Sequence, residues 1–600
     1  ISDSWKRLIV DQNHHPSIPG RNASEFQNEG AFAALRADGS VVSWGNAYYG
    51  GSMSAAVASA LATDVAQVFS SSLAFAAVRD DGSVVTWGAP EYGGDSSAVA
   101  ASLNDGVRSV ASSTGAFAAL KSDGSVITWG GSGYGGDSSA VASQINGSGG
   151  IQVVKLFSST AAFAALRSDG SVVSWGDAAK GGLIPTGATA TALNGSTDVV
   201  SIRSSNAAFA ALRADGTVIT WGDAAYGGNS SGVDFNGASN TLTVTSLQAS
   251  QRAFAAVLSD GSVVTWGAAE FGGNSSGVAA QLNGSTDVVS ISTTGSAFAA
   301  LRADGSVVVW GHPERGGALS AAASASLGAS GAPAVTKIVA SGSAFAALRA
   351  DGSVVSWGTS GGDSSGVASA IDGVPNSEDI VDIVATSFAF AALRSDGSVV
   401  TWGDAGSGGN SSAVDFNGAS DTLTVTRLAS TFYAFSALRS DGSVVTWGDP
   451  YHGGSGAPAA EAGKPVISFA SALSDEWYRI EAPDAWAVEQ GIKADGSALP
   501  GQAAERIAGS LFVNASDPEG VLKANTYVVS AGRRNGLSIS GNSAVASGSN
   551  AASGTAITGL YGTLRVGADG SYRYTVDNSN ATVNALAAGS RSLVDTFVLT

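Results

Sequence analysis

The sequence predicts an all-β chain in which a long array of repeats is followed by a second, smaller β unit. The stretch 31–45, AFAALRADGSVVSWG, recurs ten times with few changes, and its tryptophans lie 42 to 47 residues apart. Glycine supplies 80 of the 600 residues and charged residues only 13%, a composition typical of stacked β units. A unit of this length cannot bury its apolar face alone, so successive repeats must pack on one another.

Each repeat predicts three short strands. In the fifth repeat, 199–204 alternates apolar and polar residues, 208–213 is a short apolar run, and 217–221 returns after Asp215 and Gly216. Asp-Gly between β-rich runs indicates a hairpin, because both turn positions of its usual type need positive φ. The alanines let neighbouring sheets approach while Phe, Leu and Trp fill the space between them.

A looser segment follows each Trp-Gly pair. Six repeats continue with Gly-Gly, then Asp or Asn, then two serines, as at 93–97 and 272–276. We interpret this as a glycine turn, an N-cap and one or two helical turns, with a fourth strand as the alternative. The fifth and ninth repeats share a longer version, which begins at Val233 and Val414.

The order of strand, AFAALRxDGSVVxWG and Gly-Gly loop resembles the regulator-of-chromosome-condensation repeat (RCC1-like), and it is similar to the propeller β-lactamase-inhibitor proteins. The resemblance covers about residues 25–460 and implies a β-propeller of about ten repeats over residues 31–472. Propellers typically have about 4–8 blades, so one large ring, two smaller rings and an open spiral of blades all remain open, with one ring favoured. Residues 466–471 resemble the first strand of a repeat, and we expect them to complete a blade begun near residue 30.

The flanking segments differ in character. Residues 1–30 predict a leading strand and a loop, 473–505 a connector, and 506–600 an immunoglobulin-like β-sandwich with alternating runs at 511–514, 527–530, 561–566, 571–576 and 596–599. The stretches NASDPEG, YGTLRVGADGSYRYTVDNSNATVNAL and VDTFVLT resemble the VCBS domain of large bacterial secreted adhesins. In that family a further strand follows, so we expect a sandwich that is incomplete at its C-terminal end and is finished by further chain or by a neighbour's strand.

Composition also limits the function. The absence of cysteine excludes disulfides and thiolate metal sites, and a net charge of −19 disfavours nucleic-acid partners and anionic membranes. No apolar run approaches the length of a membrane span. Because the chain begins at Ile1 without a Met, we expect a processed part of a longer protein.

Two groups of residues are candidate binding sites. A basic residue recurs four positions after the repeated Phe, at Arg36, Arg79, Lys121, Arg167, Arg213, Arg302, Arg349, Arg394 and Arg439. This series either pairs with acids of the next blade or forms a basic ring that binds an anionic glycan. Asp517 and Glu519, in a DPEG turn, either form a plain turn or bind Ca²⁺ between modules, as the resemblance to adhesins implies.

Catalytic motifs are weak. His14 and His15 are adjacent and have no further ligand at metal spacing, and the GTSGG stretch at 358–362 matches the nucleophile-elbow pattern in a chain so rich in Gly and Ser that chance explains it. The aspartates of the Asp-Gly turns are explained by the turn itself. We therefore expect no enzyme and no cofactor other than Ca²⁺.

These observations favour a fragment of a large extracellular bacterial surface protein with an adhesive or structural role, possessing the capacity to self-assemble into filaments or a surface layer. Its partners would be copies of itself, neighbouring surface proteins or polysaccharide, without nucleic acid or membrane insertion. The alternatives are a specific protein-binding propeller of inhibitor or regulator type and a glycan-binding propeller. Near-identical repeats favour avidity over one docked partner.

Overall fold

The computed structural model describes residues 28–36, 38–237, 240–329, 331–373, 380–418, 421–458 and 466–469 of the repeat region, and seven strands between 506 and 599. The chain divides into two compact units, one with the repeats and one with the C-terminal strands. The predicted leading strand and the connector lie outside the described residues. Among the described residues, no helix is long and apolar enough to cross a membrane.

The repeats form ten three-stranded antiparallel sheets, which we call blades 1 to 10. The inner strands are Val466–Phe469, Val65–Ser70, Val107–Ser112, Val153–Ser158, Val199–Ser204, Val244–Ala249, Val288–Thr293, Val335–Ala340, Ile380–Ala385 and Val425–Ser430. The middle strands are Ala31–Arg36, Ala74–Arg79, Ala116–Lys121, Ala162–Arg167, Ala208–Arg213, Ala253–Leu258, Ala297–Arg302, Ala344–Arg349, Ala389–Arg394 and Ala434–Arg439. The outer strands are Val41–Gly45, Val84–Gly88, Val126–Gly130, Val172–Gly176, Val218–Gly222, Val263–Gly267, Val307–Gly311, Val354–Gly358, Val399–Gly403 and Val444–Gly448.

The turn between the middle and outer strands differs from the predicted two-residue type. In this turn of blade 5, residues 214–216, only Gly216 has positive φ, at 79°, and the Arg213 N–H donates to the Thr217 carbonyl across the loop. The Asp215 carboxylate accepts hydrogen bonds from the N–H and the hydroxyl of Thr217, at 3.0 and 2.6 Å. The aspartate therefore shapes the turn by accepting from the chain two residues later, with no left-handed conformation of its own.

The segment that links one blade to the next is helical where the sequence predicts helical turns. Its α-helices are Ala55–Ala60, Ala188–Ala192 and Ala321–Leu327, and its 3₁₀ helices are Ser97–Ser102, Ser139–Gln144, Ser148–Gly150, Ser276–Gln281 and Ser365–Ala370. The two longer versions instead place Phe235 edge-on against Trp266 and Phe416 edge-on against Trp447, with ring centroids 5.2 and 5.1 Å apart. No fourth strand pairs in any described blade.

Phe, Trp and Ala build the interfaces between blades. In blade 5, Phe209 stacks on Trp221 across the sheet, with centroids 5.1 Å apart, and both rings are fully buried against blade 4. The surface that receives them carries Ala162 and Ala164. These small side chains leave room for the stacked rings, which explains why a strand with three alanines recurs.

The ten blades close into one ring. Each blade packs on the next through a buried cluster of this kind, and the last cluster joins Phe32 and Trp44 of blade 1 to Ala434 and Leu438 of blade 10. Val466–Phe469 pairs antiparallel with Ala31–Arg36 and supplies the inner strand of blade 1. This pairing confirms the predicted closing strand. Together with the ten interfaces it shows a single ring, and not two smaller rings or an open spiral.

The C-terminal unit contains two antiparallel sheets. The first orders Arg506–Ser510, Ser571–Val576, Gly562–Val566 and Thr555–Thr558, and the second orders Ser538–Ala544, Ser530–Asn535 and Phe597–Leu599. The all-β prediction holds here, whereas the VCBS assignment stays a prediction. Asp517, Glu519 and the predicted strand at 511–514 lie outside the described residues.

Candidate functional site

Each blade carries two loops at the end where its middle strand begins. They are the turn between the inner and middle strands and the loop after the Trp-Gly pair, which we call the post-Trp loop. In blade 2 the Ser71 hydroxyl donates to the Tyr92 carbonyl at 2.9 Å, and equivalent serines or threonines repeat this bond in other blades. The inner turns also bond in series, since Ser72 N–H donates to the Thr114 carbonyl and Thr114 N–H to the Thr160 carbonyl. The loops therefore hold fixed positions around the ring.

A glycine and the Phe and Trp of the next blade position the post-Trp loop, as blade 2 shows. Gly93 has a φ of 96°, and a Cβ there would lie 2.4 Å from the ring of Phe117 in the next blade. The Gly93 carbonyl accepts a hydrogen bond from Trp129 Nε1 at 3.0 Å. The loop is thus pinned under the neighbouring Phe and Trp, and the residue before the glycine lies at the surface.

That residue is aromatic or basic in eight consecutive blades, from blade 10 through blade 1 to blade 7. We call this set the belt, and the end of the ring that carries it the belt face. Most belt side chains are half-buried, and that of Arg315 is exposed. The belt consists of His452, Tyr49, Tyr92, Tyr134, Lys180, Tyr226, Phe271 and Arg315.

Belt residues contact one another from blade to blade. The rings of Tyr92 and Tyr134 lie 5.6 Å apart, and those of Tyr49 and His452 lie 6.3 Å apart across the seam where the ring closes. Lys180 Nζ lies 5.2 Å from the centre of the Tyr226 ring. These contacts join three pairs of neighbouring belt residues, and we call the belt with the residues that adjoin it the strip.

Residues outside the belt extend the strip. The guanidinium of Arg252 lies 4.6 Å from the Tyr226 ring centre and 4.9 Å from that of Phe271, a cation–π arrangement that joins two blades. Tyr433 lies 4.6 Å from His452, and Tyr451, which is 78% exposed, adjoins it in sequence. A half-buried aromatic strip with exposed polar and basic groups beside it has the composition of an interaction surface.

Hydrogen bonds perturb the tyrosines at one point of the strip. The Tyr48 hydroxyl donates to the Glu91 carboxylate, which raises the pKa of Tyr48 and lowers the pKa of Glu91. A hydrogen bond with Tyr134 raises the pKa of Tyr92. Tyr48 and Tyr92 therefore remain neutral near pH 7, and this part of the strip presents phenol groups and one carboxylate.

The described residues assemble no recognisable catalytic or metal constellation. They contain no group of three or more His, Cys, Asp or Glu residues placed to hold a metal. Ser360 of the GTSGG stretch has a φ of 46° in a post-Trp loop that is shorter than the others, and within the described chain it makes no hydrogen bond to a histidine. His452 Nδ1 lies 2.9 Å from Asp449 Oδ2, an arrangement that fixes its own loop.

The predicted basic series lies at the opposite end of the blades from the belt. Arg79, for example, lies 3.8 Å from Asp81 of its own turn and 3.8 Å from Asp64 of the segment that enters the blade. Lys121 Nζ lies 2.9 Å from Asp105 and donates to the Ser102 carbonyl. The ion-pair partners therefore belong to the same repeat, which differs from the expected acids of the next blade.

Other members of the series make the same kind of contact. Arg167, Arg213, Arg302 and Arg349 each lie within 4.0 Å of the aspartate of their own turn, and their side chains are 14–19% exposed. Arg394 donates to the Ala370 carbonyl, Arg439 donates to the Phe416 carbonyl, and Arg36 is buried. These contacts fasten the linking segments to the blades, while glycan binding by the series stays a prediction.

Sequence reasoning missed the belt. Its signal was present, because the residue before Gly-Gly is Tyr, Phe, Lys, Arg or His in eight repeats. The belt position was not part of the recurring motif, because its residue differs from repeat to repeat and only its aromatic or basic character is shared. The ring geometry was needed to show that these positions lie side by side.

Comparisons with solved structures yield matches at low identity and low TM-score. The ectodomain of the Arabidopsis thaliana receptor kinase ACR4 is 19% identical with a TM-score of 0.26, and the match covers 48% of this chain and 92% of that one. Prp20p from Saccharomyces cerevisiae is 14% identical with a TM-score of 0.31, covering 63% and 93% of the two chains. The computationally designed Ika8 protein is 13% identical with a TM-score of 0.26, covering 64% and 100%.

No protein-family model matches the chain, and the search of curated proteins finds no match. The assignment of the fold therefore rests on the ten sheets and their interfaces.

Proposed function

We propose that the ring is a protein-binding module that engages its partner through the belt face. We further propose that it belongs to an extracellular bacterial surface protein with an adhesive role. The observation that carries the proposal is the belt, in which eight consecutive loops place an aromatic or cationic side chain at one level of one face. Tyr, Trp and Arg dominate binding energy in protein interfaces, whereas scattered aliphatic contacts contribute little.

The belt has the size that such an interface requires. Half-buried aromatic and long basic side chains each offer on the order of 100 Å² to a partner, so eight of them offer roughly 800 Å², the area per side of a standard interface. The loops are held by backbone bonds and by the Trp–Gly contacts before any partner arrives. A rigid surface loses little conformational entropy on binding, which favours affinity.

The adhesive setting is supported by the sequence. The resemblance of residues 506–600 to modules of secreted adhesins and the near-identity of the repeats both favour many weak, similar contacts over one specialised site. Non-enzymatic binding is the activity that this arrangement suits best, because the belt offers recognition groups and no paired nucleophile and base.

Bead attachment tests the proposal. Beads coated with the full chain are added to bacterial cells, and attachment is counted for the wild type, for the triple variant Tyr92→Ser, Tyr134→Ser, Tyr226→Ser, and for the control Arg79→Gln, Arg167→Gln, Arg302→Gln on the opposite end. We expect the belt variant to lose at least about tenfold in attachment, since each buried aromatic contributes 1 kcal/mol or more. Equal attachment of both variants would refute the assignment of the belt face.

Glycan binding is the second candidate, because the ring of Tyr451, which is 78% exposed and adjoins the belt, also suits a sugar face. Treating the cells with protease or with periodate before the beads are added distinguishes a protein partner from a glycan partner. Loss of attachment after protease treatment supports a protein partner. Loss after periodate alone supports a glycan.

A further inference from the structure

The belt face is not uniform in charge. Its loops in blades 10, 1, 2 and 3 contain three carboxylates and no Lys or Arg, whereas its loops in blades 4 to 7 contain three basic residues. The first group of loops also holds six tyrosines, which we call the phenolic arc: Tyr433, Tyr451, Tyr48, Tyr49, Tyr92 and Tyr134. We propose that the phenolic arc binds a protein segment that carries arginine or lysine side chains, an inference that rests on the proposed protein-binding function of the belt and names the chemistry of the partner.

The ring already holds one cation of its own against belt side chains. The guanidinium of Arg252 lies 4.6 Å from the centre of the Tyr226 ring and 4.9 Å from that of the Phe271 ring. Both distances are within the range of a cation–π interaction. Belt rings of neighbouring blades therefore provide a seat for a guanidinium group.

The phenolic arc has no such cation of its own. The positions that correspond to Arg252, directly before the middle strand, hold Gly30, Leu73, Gly115 and Tyr433 in blades 1, 2, 3 and 10. A Cβ at Gly30 would lie 2.3 Å from the ring of Tyr49, and one at Gly115 would lie 2.6 Å from the ring of Tyr134, so these rings lie directly over the glycines. A cation that binds to the arc therefore comes from a partner.

The arc is both connected and accessible where the ring closes. Tyr433 and Tyr49 lie on either side of His452, with ring centroids 4.6 and 6.3 Å from it, and the Tyr48 ring lies 6.0 Å from that of Tyr49. Tyr451 is 78% exposed and Tyr48 is 50% exposed. A side chain that lies across the seam can therefore contact rings of two blades.

Carboxylates strengthen the attraction of the arc for a cation. The exposed Glu91 accepts a hydrogen bond from the Tyr48 hydroxyl, which lowers the pKa of Glu91, so this group is ionised near pH 7. Asp449 lies in the same loop as the exposed Tyr451. The net charge of −19 also raises the local concentration of basic partners near the chain.

The rest of the belt suits a basic segment less well. The loops of blades 4 to 7 hold four acidic residues against three basic ones, Lys180, Arg252 and Arg315, so a basic segment meets repulsion there that the arc lacks. A wholly apolar segment on the arc would bury carboxylates without a partner, which is costly. Charge complementarity therefore favours a basic segment on the phenolic arc.

Binding of a basic peptide to the full chain tests the proposal. The probe is a fluorescein-labelled peptide of arginine, glycine and serine, and its control is the same peptide with citrulline in place of arginine, which keeps the side-chain size and removes the charge. Fluorescence polarisation compares the wild type with the seam variant Tyr48→Leu, Tyr451→Leu and with the matched belt variant Tyr226→Leu, Phe271→Leu. Neither variant alters the charge of the chain, so general attraction by the net charge is the same in all three proteins.

We expect the wild type to bind the arginine peptide at least about tenfold more tightly than the citrulline peptide. The seam variant should lose about fivefold or more in affinity for the arginine peptide, because leucine keeps apolar contact and removes the aromatic ring face. The matched belt variant should bind within about twofold of the wild type. Equal affinity of the wild type for the two peptides, or equal losses in the two variants, would overturn the proposal.

Two further comparisons separate ring, charge and folding effects. Tyr48→Phe, Tyr451→Phe keeps both rings and should bind within about twofold of the wild type, whereas a loss equal to that of the leucine variant would overturn the role of the ring faces. Glu91→Gln should weaken binding about two- to fivefold, while Glu270→Gln, at the same position of its loop in blade 6, should have no effect. Equal effects of these two substitutions would contradict the placement of the segment on the arc.

Failure of this proposal is distinguishable from failure of the proposed function. If bead attachment depends on the belt and the arginine peptide does not bind, the basic partner is refuted while the belt remains a protein-binding face. If the arginine peptide binds and only the seam variant weakens it, the basic partner is supported whichever cells the beads attach to.

Discussion

Substitution of Gly181 by alanine tests the claim that the Gly-Gly pair exists to seat the next blade. Gly181 has a φ of 91°, and an added Cβ would lie 2.6 Å from the ring of Phe209, which is fully buried and stacked on Trp221. The left-handed backbone costs an alanine about 1–2 kcal/mol. Crowding against a ring that cannot move adds about 1–3 kcal/mol. We expect Gly181→Ala to destabilise the ring by about 2–5 kcal/mol.

Two further glycines separate these contributions. Gly149 has a φ of 73° and Gly277 has no positive φ, and a Cβ at either would meet nothing within 4 Å. Gly149→Ala should therefore cost the backbone term alone, about 1–2 kcal/mol. Gly277→Ala, in the 3₁₀ helix Ser276–Gln281, should be neutral or stabilising by up to about 1 kcal/mol.

Urea unfolding followed by tryptophan fluorescence measures all three variants, and the order of their midpoints is the readout. Because nine of the repeated tryptophans donate to the preceding post-Trp loop, their emission reports directly on the interfaces. A Gly181→Ala midpoint that equals that of Gly149→Ala would show that the Phe209 contact adds nothing, and it would refute the seating argument.

Three other predictions concern the same ring. Truncation before Lys464 removes the inner strand Val466–Phe469 and should lower the melting temperature sharply, whereas an unchanged melt would show that closure is dispensable. Arg394→Gln should destabilise the ring by about 1 kcal/mol in urea unfolding, because its bond to the Ala370 carbonyl fastens a linking segment, and a midpoint equal to that of the wild type would contradict this role. Acid should also destabilise the ring, because hydrogen bonds from serine hydroxyls lower the pKa of Asp81 and Asp304 below the usual 3.8. The stability that these two carboxylates contribute is complete above pH 3.8 and is lost as the pH falls through their lowered pKa values. Melting curves between pH 2 and 6 check this, and a flat profile below pH 4 would contradict it.

The sequence by itself determined the unit of this protein. The period of 42 to 47 residues, the three apolar runs and the Asp-Gly turns predicted the sheets, because each depends on local backbone preferences and on the alternation of side chains. Residues 466–471 could be recognised as a strand for the same reason. The exact turn type was wrong, since the aspartate's side-chain bonds compete with the left-handed conformation that the Asp-Gly pair suggested.

Only the tertiary structure decided how many units share one ring and which residues meet. Closure depends on small rotations between blades that accumulate over ten interfaces, and no local pattern encodes their sum. The belt joins Tyr92 to Tyr134 and Tyr49 to His452, residues 42 and 403 positions apart, and the inner strands bring Lys337 to Asp382. Such juxtapositions depend on the order and spacing of whole blades. The recurring motif therefore specified the framework, and the ring placed the variable residues that we assign to binding.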